Sequence, residues 1–191
     1  PMTFAKAGEH PDEDVPVISA PAEDTENDPF EAPQPSGRLP AGLHLVATPI
    51  GNLGDITPRA VDALRNADLI ACEDTRHSGM LLKHLGIKAR LISLNEHNEA
   101  QRIPQLLDHM RAGGSVAMIS DAGMPTISDP GQRFVAATVG AGFVIDSLPG
   151  PSAVLTALSA SGLPTTPFYF GGFLPHKKGA RTTELTAALG R

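Results

Sequence analysis

The stretch Leu43-His44-Leu45-Val46-Ala47-Thr48-Pro49-Ile50-Gly51-Asn52-Leu53-Gly54-Asp55-Ile56-Thr57-Pro58 decides the fold. Residues 43–47 are apolar on both alternating positions except at His44, the pattern of a short strand covered on both faces. The glycines and the proline that follow break the run. Asp55 or Thr57 can cap a helix opening at Pro58, and Ala60, Val61, Ala63, Leu64 and Ala67 continue it at helical spacing. Strand, Gly-rich turn and capped helix make one unit of a parallel sheet.

Four further units follow. Apolar runs at 69–72, 90–94, 116–119 and 143–148 alternate with helical patterns at 75–85, 98–111, 130–139 and 152–160, ended by Gly86, Gly113-Gly114, Gly140 and Gly162. Five such units predict an α/β fold: a five-stranded, mostly parallel, doubly wound sheet with right-handed crossovers.

The flanks differ in texture. Residues 1–40 hold nine of the 21 acidic residues, two of the 15 basic ones and eight of the 18 prolines. So polar a segment buries too little surface to offset the entropy of ordering, and a disordered acidic tail is expected there. Residues 41–163 form the expected α/β domain. Past Gly162, residues 164–191 read as a linker with a strand-like run at 168–170 and a helix at 183–189, the start of a second α/β domain that is largely missing.

Removing the tail leaves twelve acidic and thirteen basic residues, so the −6 of the whole chain becomes +1 for the body. A near-neutral body does not repel an anionic partner, yet it lacks the footprint of a strong autonomous nucleic-acid binder. The single Cys72 excludes an intrachain disulfide and suggests a reducing compartment, the cytoplasm. No apolar stretch is long enough for a bilayer, so no membrane partner is expected.

Ligands of an open parallel sheet bind at the carboxyl ends of its strands, and the loops there are unusual. Residues 48–55 follow the first strand. Residues 120–131, Ser-Asp-Ala-Gly-Met-Pro-Thr-Ile-Ser-Asp-Pro-Gly, follow the fourth, with Ser128 or Asp129 as a cap for the next helix; residues 148–153, Leu-Pro-Gly-Pro-Ser-Ala, follow the fifth. Three stiff Gly/Pro loops on one edge describe a preformed small-molecule cleft. Two polar clusters share the edge: residues 73–78, Glu-Asp-Thr-Arg-His-Ser, and residues 95–99, Asn-Glu-His-Asn-Glu. Each supplies groups for proton transfer or a phosphate clamp, and each also suits a helix cap, with Asp74 or Thr75 in one and His97 or Asn98 in the other. Neither a second histidine at ligand spacing nor paired cysteines accompany His97, so no metal is expected. Cys72, Met110, Met118 and Phe134 are expected in the core.

The four ordered motifs 48–57, 73–78, 120–131 and 148–153 closely resemble the ribosomal RNA small subunit methyltransferase I group of the tetrapyrrole (corrin/porphyrin) methylase superfamily. The resemblance runs from about Leu43 to Pro175. It implies a homodimer of two-domain chains that binds S-adenosylmethionine between the domains and methylates the 2′-hydroxyl of a decoding-centre cytidine in 16S rRNA or the 30S subunit. Carried onto this chain, it implies Pro49, Gly51, Asp121, Met124, Pro125, Gly150, Pro151 and Ser152 at the methyl donor, with Met124 where many relatives have Thr. Glu73 or Asp74 is expected to assist deprotonation and Arg76 to place a phosphate, with His97 and Glu99 in reserve. Lys177, Lys178 and Arg181 form either a second phosphate contact or a solvated run. Two alternatives remain open: C-methylation of a tetrapyrrole precursor, and a non-catalytic dimerising fragment.

Overall fold

The computed structural model describes residues 37–188. The acidic tail expected over 1–40 therefore lies, up to residue 36, outside the described residues.

Five strands form one wholly parallel sheet: β1 Gly42–Val46, β2 Leu69–Cys72, β3 Leu91–Ser93, β4 Ser115–Ile119 and β5 Ile145–Leu148, in the spatial order β3-β2-β4-β1-β5. Between and after them lie α1 Pro58–Asn66, α2 Thr75–His84, α3 Glu99–Arg111, α4 Gln132–Gly140, α5 Ala153–Ala160 and α6 Lys178–Ala188. Every residue of β1, β2 and β4 is buried, which is why these strands read as continuous apolar runs rather than alternating ones.

Strand periodicity sorts the core into two layers. Val46, Ile70, Cys72, Ala117 and Ile119 face Ala60, Ala63 and Leu64 of α1 and Leu82 of α2. Leu43, Leu45, Ala71, Val116 and Met118 face Leu106 and Met110 of α3 and Phe134 of α4. Thus α1 and α2 cover one face while α3 and α4 cover the other, the doubly wound arrangement. Neighbouring strands β1 and β4 send their following helices to opposite faces, so the loops leaving them diverge at the carboxyl edge.

Local chemistry accounts for three of the helix starts. Thr57 accepts a hydrogen bond from the Ala60 amide at 3.1 Å, Asp74 from Arg76 and Ser152 from Leu155. The fourth helix departs from expectation: neither Ser128 nor Asp129 caps it, and it opens at Gln132 behind Gly131 at φ 114°. A Cβ on Gly131 would fall 2.8 Å from Met118 Sδ, so both the dihedral and the core demand glycine there. The acceptor comes from α3 instead: Glu99 Oε1 takes the Phe134 amide at 3.2 Å.

The expected strand at 168–170 is absent. Residues 161–177 hold no regular structure, and Phe168, Tyr169, Phe170, Phe173 and Leu174 are exposed. An apolar run becomes a strand only where another edge accepts its backbone groups, and none among the described residues does so. α6 buries no residue, and neither does the apolar α5, whose Leu155 is exposed. Among the described residues, no helix is long and apolar enough to cross a membrane.

Candidate functional site

Three loops meet at the carboxyl edge. Thr48, at the end of β1, is fully buried; its amide and carbonyl exchange hydrogen bonds of 2.9 and 3.1 Å with Gly123, and its hydroxyl donates to the Ser120 carbonyl at 3.1 Å. This bridge ties the β1 loop to the β4 loop. A Cβ on Gly123 would lie 3.5 Å from Ile50 Cγ2 and 3.8 Å from the Pro151 carbonyl oxygen, so the loop after β5 closes on the same point. Gly150 packs against the residue that follows β1: an added Cβ would stand 2.7 Å from Ala47 Cβ, a distance that forces the backbone apart.

Two cavities flank this junction. A cleft of about 520 Å³ is lined by Ile50, Asp55, Gly150, Pro151, Ser152 and Leu155, among others. A second, of about 200 Å³, lies between the β1 loop and α2, with Pro49, His77, Met80, His84 and Asp121 in its wall. The expected donor residues are thus divided. Gly150, Pro151 and Ser152 line the larger cavity, while Pro49 and Asp121 line the smaller. Gly51 is exposed in the β1 loop, and Met124 and Pro125, half-buried and buried, line neither cavity. The loop carrying them is strained, with Thr126 and Ser128 at φ 72° and 62°.

The polar clusters resolve into separate roles. Glu73, exposed just after β2, borders a small recess with Ser120 and Asp129. Partial burial pushes its carboxyl above the usual carboxylate range, and the negative charges of Asp121, Asp129, Glu96 and Asp74 add to the shift. Asp129 is raised as well, by burial and Asp121, with the Ser120 hydroxyl opposing. Asp74 behaves oppositely. Its oxygens cap α2 and accept from Arg76 Nε at 3.2 Å and from the terminal guanidinium nitrogen at 2.8 Å, which lowers its pKa to about 2. Arg76 is held by that pair while its side chain stays 90% exposed, free to meet a phosphate on its outer side.

The 95–99 cluster is mainly structural. Asn95 Oδ1 accepts from the His97 and Asn98 amides, and Asn98 Oδ1 accepts from the Asn95 amide. His97 is exposed and lines none of the three cavities above. Glu99 is 4% exposed and serves as the α4 cap, so its expected reserve role in catalysis is corrected to a positioning one. Cys72 is buried in the sheet, where desolvation raises its thiol pKa.

Sequence reasoning missed the Thr48–Gly123 bridge, the Glu99 cap and the contribution of His77, Met80 and His84 to the second cavity. Thr48 carries a weak signal, a small polar residue ahead of Pro49 at a strand end. The Glu99 cap carries none, since its partner lies 35 residues away.

An all-parallel sheet whose β1, β4 and β5 loops close on one point, beside an Asp121 carboxylate with no hydrogen-bond or ion-pair partner among the described residues, defines an α/β protein with a preformed small-molecule cleft at the strand carboxyl ends. The family profile described as Tetrapyrrole (Corrin/Porphyrin) Methylases matches residues 42–190, and the chain belongs to that family. It is 54% identical over 143 residues to the Ribosomal RNA small subunit methyltransferase I of Vibrio cholerae serotype O1, covering 75% of this chain and 50% of the relative. Proteins of the same name match from Mesorhizobium japonicum, at 52% over 80% of this chain and 52% of the relative, and from Escherichia coli O157:H7, at 52% over 76% and 51%. The chain thus spans about half the length of the curated relatives it matches. Among solved structures, uroporphyrin-III-C-methyltransferase from Thermus thermophilus matches with TM-score 0.50 and 28% identity, over 66% of this chain and 54% of that one. A conserved hypothetical protein from Aeropyrum pernix K1, at TM-score 0.55, 23% identity and coverage of 69% and 46%, shares the fold.

Proposed function

We propose that this chain contributes one wall of the donor site of an S-adenosylmethionine-dependent methyltransferase that acts on the ribose 2′-hydroxyl of a cytidine in the decoding centre of 16S rRNA. The observation that carries the reading is the closure of the β1, β4 and β5 loops around Gly123. Likeness above 50% to proteins named for small-subunit rRNA methylation supports an RNA acceptor over a tetrapyrrole.

The residues present fit the donor. Asp121 is exposed on the second cavity and makes no hydrogen bond or ion pair within the described protein, so its carboxylate is available to ribose hydroxyls or an amine. Gly150, Pro151 and Ser152 offer stiff backbone at the larger cleft, Pro49 stands in the wall of the smaller one, and Gly51, Met124 and Pro125 belong to the β1 and β4 loops that meet between them. When bound, the donor supplies a methyl group activated by the sulfonium.

The chain's own groups do the rest. Glu73 accepts the proton of the ribose hydroxyl; its raised pKa makes it a stronger base than an ordinary carboxylate. Asp74, acidified by Arg76, is a poor base and acts by fixing that guanidinium, which orients a phosphate of the acceptor. His97, exposed in the loop after β3, remains a reserve group.

Residues 164–191 enter a second domain in this reading. The support is the apolar surface left uncovered on α5 and at Phe168, Phe170 and Phe173, which a further domain would bury. The reading also carries a homodimer working in the cytoplasm, where ribosomes are assembled.

The test is transfer of labelled methyl from S-adenosylmethionine to 30S subunits, with uroporphyrinogen as the competing acceptor, alongside calorimetry of donor binding to this chain and to a full-length form. Labelled 16S rRNA at a ribose supports the proposal. Labelled macrocycle supports the tetrapyrrole alternative, and absence of donor binding to either form leaves only a dimerising fragment.

A further inference from the structure

Thr75 to Asn95, which runs through α2 and β3, contains no acidic residue and carries Arg76, His77, Lys83, His84, Lys88 and Arg90. All six are exposed. Elsewhere four cations are neutralised, Arg38 by Asp68, Arg59 by Asp146, Arg65 by Asp62 and Arg111 by Asp108, while Arg102, Arg133 and the 177–181 cluster are not neutralised among the described residues. Lys83, Lys88 and Arg90 have no carboxylate partner among the described residues. The helix dipole accounts for cations in the last turn of α2, Lys83 and His84, but Lys88 and Arg90 lie beyond the helix.

Shape adds a second observation. A groove of about 480 Å³ runs between α2 and β3, walled by Lys83 and Lys88 and floored by Leu82, Ile87 and Leu91. On the other flank of α2, His77 and His84 line the cavity that holds Asp121. One helix therefore separates the proposed reaction site from an open cationic groove, and Arg76 stands at its end nearest Glu73.

We propose that the outer side of α2 and the α2–β3 turn, through Lys83, Lys88 and Arg90, form the track for the phosphate backbone of the RNA strand whose target ribose enters beside Asp121. The inference rests on the rRNA reading above and deepens it. Among the described residues no aromatic side chain lines the groove, so they offer no base stacking and the contact is to phosphates, positioning the strand without reading its sequence. Such a track reconciles a near-neutral body with a polyanionic substrate, because affinity arises from a local cluster rather than from net charge.

The test compares the full-length protein with its K83Q/K88Q/R90Q variant. Binding to 30S subunits is measured across a salt series, with the KM and kcat of methyl transfer and the Kd for S-adenosylmethionine. Each lost phosphate contact lowers the slope of log affinity against log salt by about 1, so the variant should lose about 2 to 3 from the slope. Its KM for 30S should rise while kcat and donor affinity stay unchanged. R102Q/R133Q removes charge from α3 and α4 on the opposite face and should leave the slope nearly intact. An unaltered slope and KM in the triple variant, or an equal loss in the opposite-face variant, overturns the track while leaving the rRNA reading standing. A wild-type protein that binds donor yet labels no 30S defeats the rRNA reading itself, and the track with it.

Discussion

Removing the carboxylate of Glu99 separates a positioning role from a catalytic one. Glu99 is buried, and its Oε1 accepts the Phe134 amide at the start of α4, where the loop bearing Asp121 and Met124 returns to the core. In Glu99→Ala that amide stays buried without a partner; hydrogen bonds to charged groups contribute about 1.5–3 kcal/mol. A net loss of about 2 kcal/mol lowers the melting temperature of a domain of this size by about 4–8 °C. Glu99→Gln keeps an oxygen acceptor of the same reach and should recover more than half of that loss. Thermal and urea unfolding followed by circular dichroism, paired with methyl transfer by the full-length protein, distinguishes the roles. The reasoning is refuted if Glu99→Gln abolishes transfer while melting like the wild type, because a cap does not need the charge and a base does.

Three further outcomes follow from the same geometry. Glu73→Gln should abolish methyl transfer while donor affinity, read by calorimetry, is retained. Because the folded pKa of Glu73 is raised, the folded state binds more protons than the unfolded one between about pH 4.5 and its folded pKa, so stability falls as pH rises through that window; the Gln variant should lose this slope and melt no lower than wild type at neutral pH. Asp74 has the opposite sign, with a folded pKa near 2: its contribution is present above the unfolded value and disappears as pH falls toward 2, so Asp74→Asn, which keeps a capping oxygen, should lack that acid-labile part in a pH series of melts. Gly150→Ala sets a methyl 2.7 Å from Ala47 Cβ and must displace the β5 loop, costing about 1–3 kcal/mol; donor affinity should fall at least tenfold, and unchanged affinity would remove Gly150 from the donor site.

Legibility in the sequence followed the range of the physics involved. The boundaries of β2 were readable to the residue because apolar run, Asp74 cap and flanking polar groups sit within six positions. The start of α4 was not, because its cap comes from Glu99 and its geometry depends on Met118 crowding Gly131. Phe168 to Phe170 misled for a related reason: aromatic and β-prone residues state a preference for extended backbone, but only a paired edge turns that preference into a strand. Likewise Glu73 and Asp74 look interchangeable in sequence, and only the position of Arg76 and the crowd of carboxylates around Glu73 set them apart.

Taken alone, the chain's order of residues determined five strand–helix units, the edge on which Gly- and Pro-rich loops gather, and the family motifs those loops carry, since each signal is complete within about ten neighbours. Tertiary structure alone decided the strand order β3-β2-β4-β1-β5, the Thr48–Gly123 bridge, the division of the cleft into two cavities and the cationic groove behind α2. Those features join residues as far apart in sequence as Leu43 and Ile145, and no local rule of propensity, capping or turn chemistry spans such a distance; burying both faces of the sheet at once does.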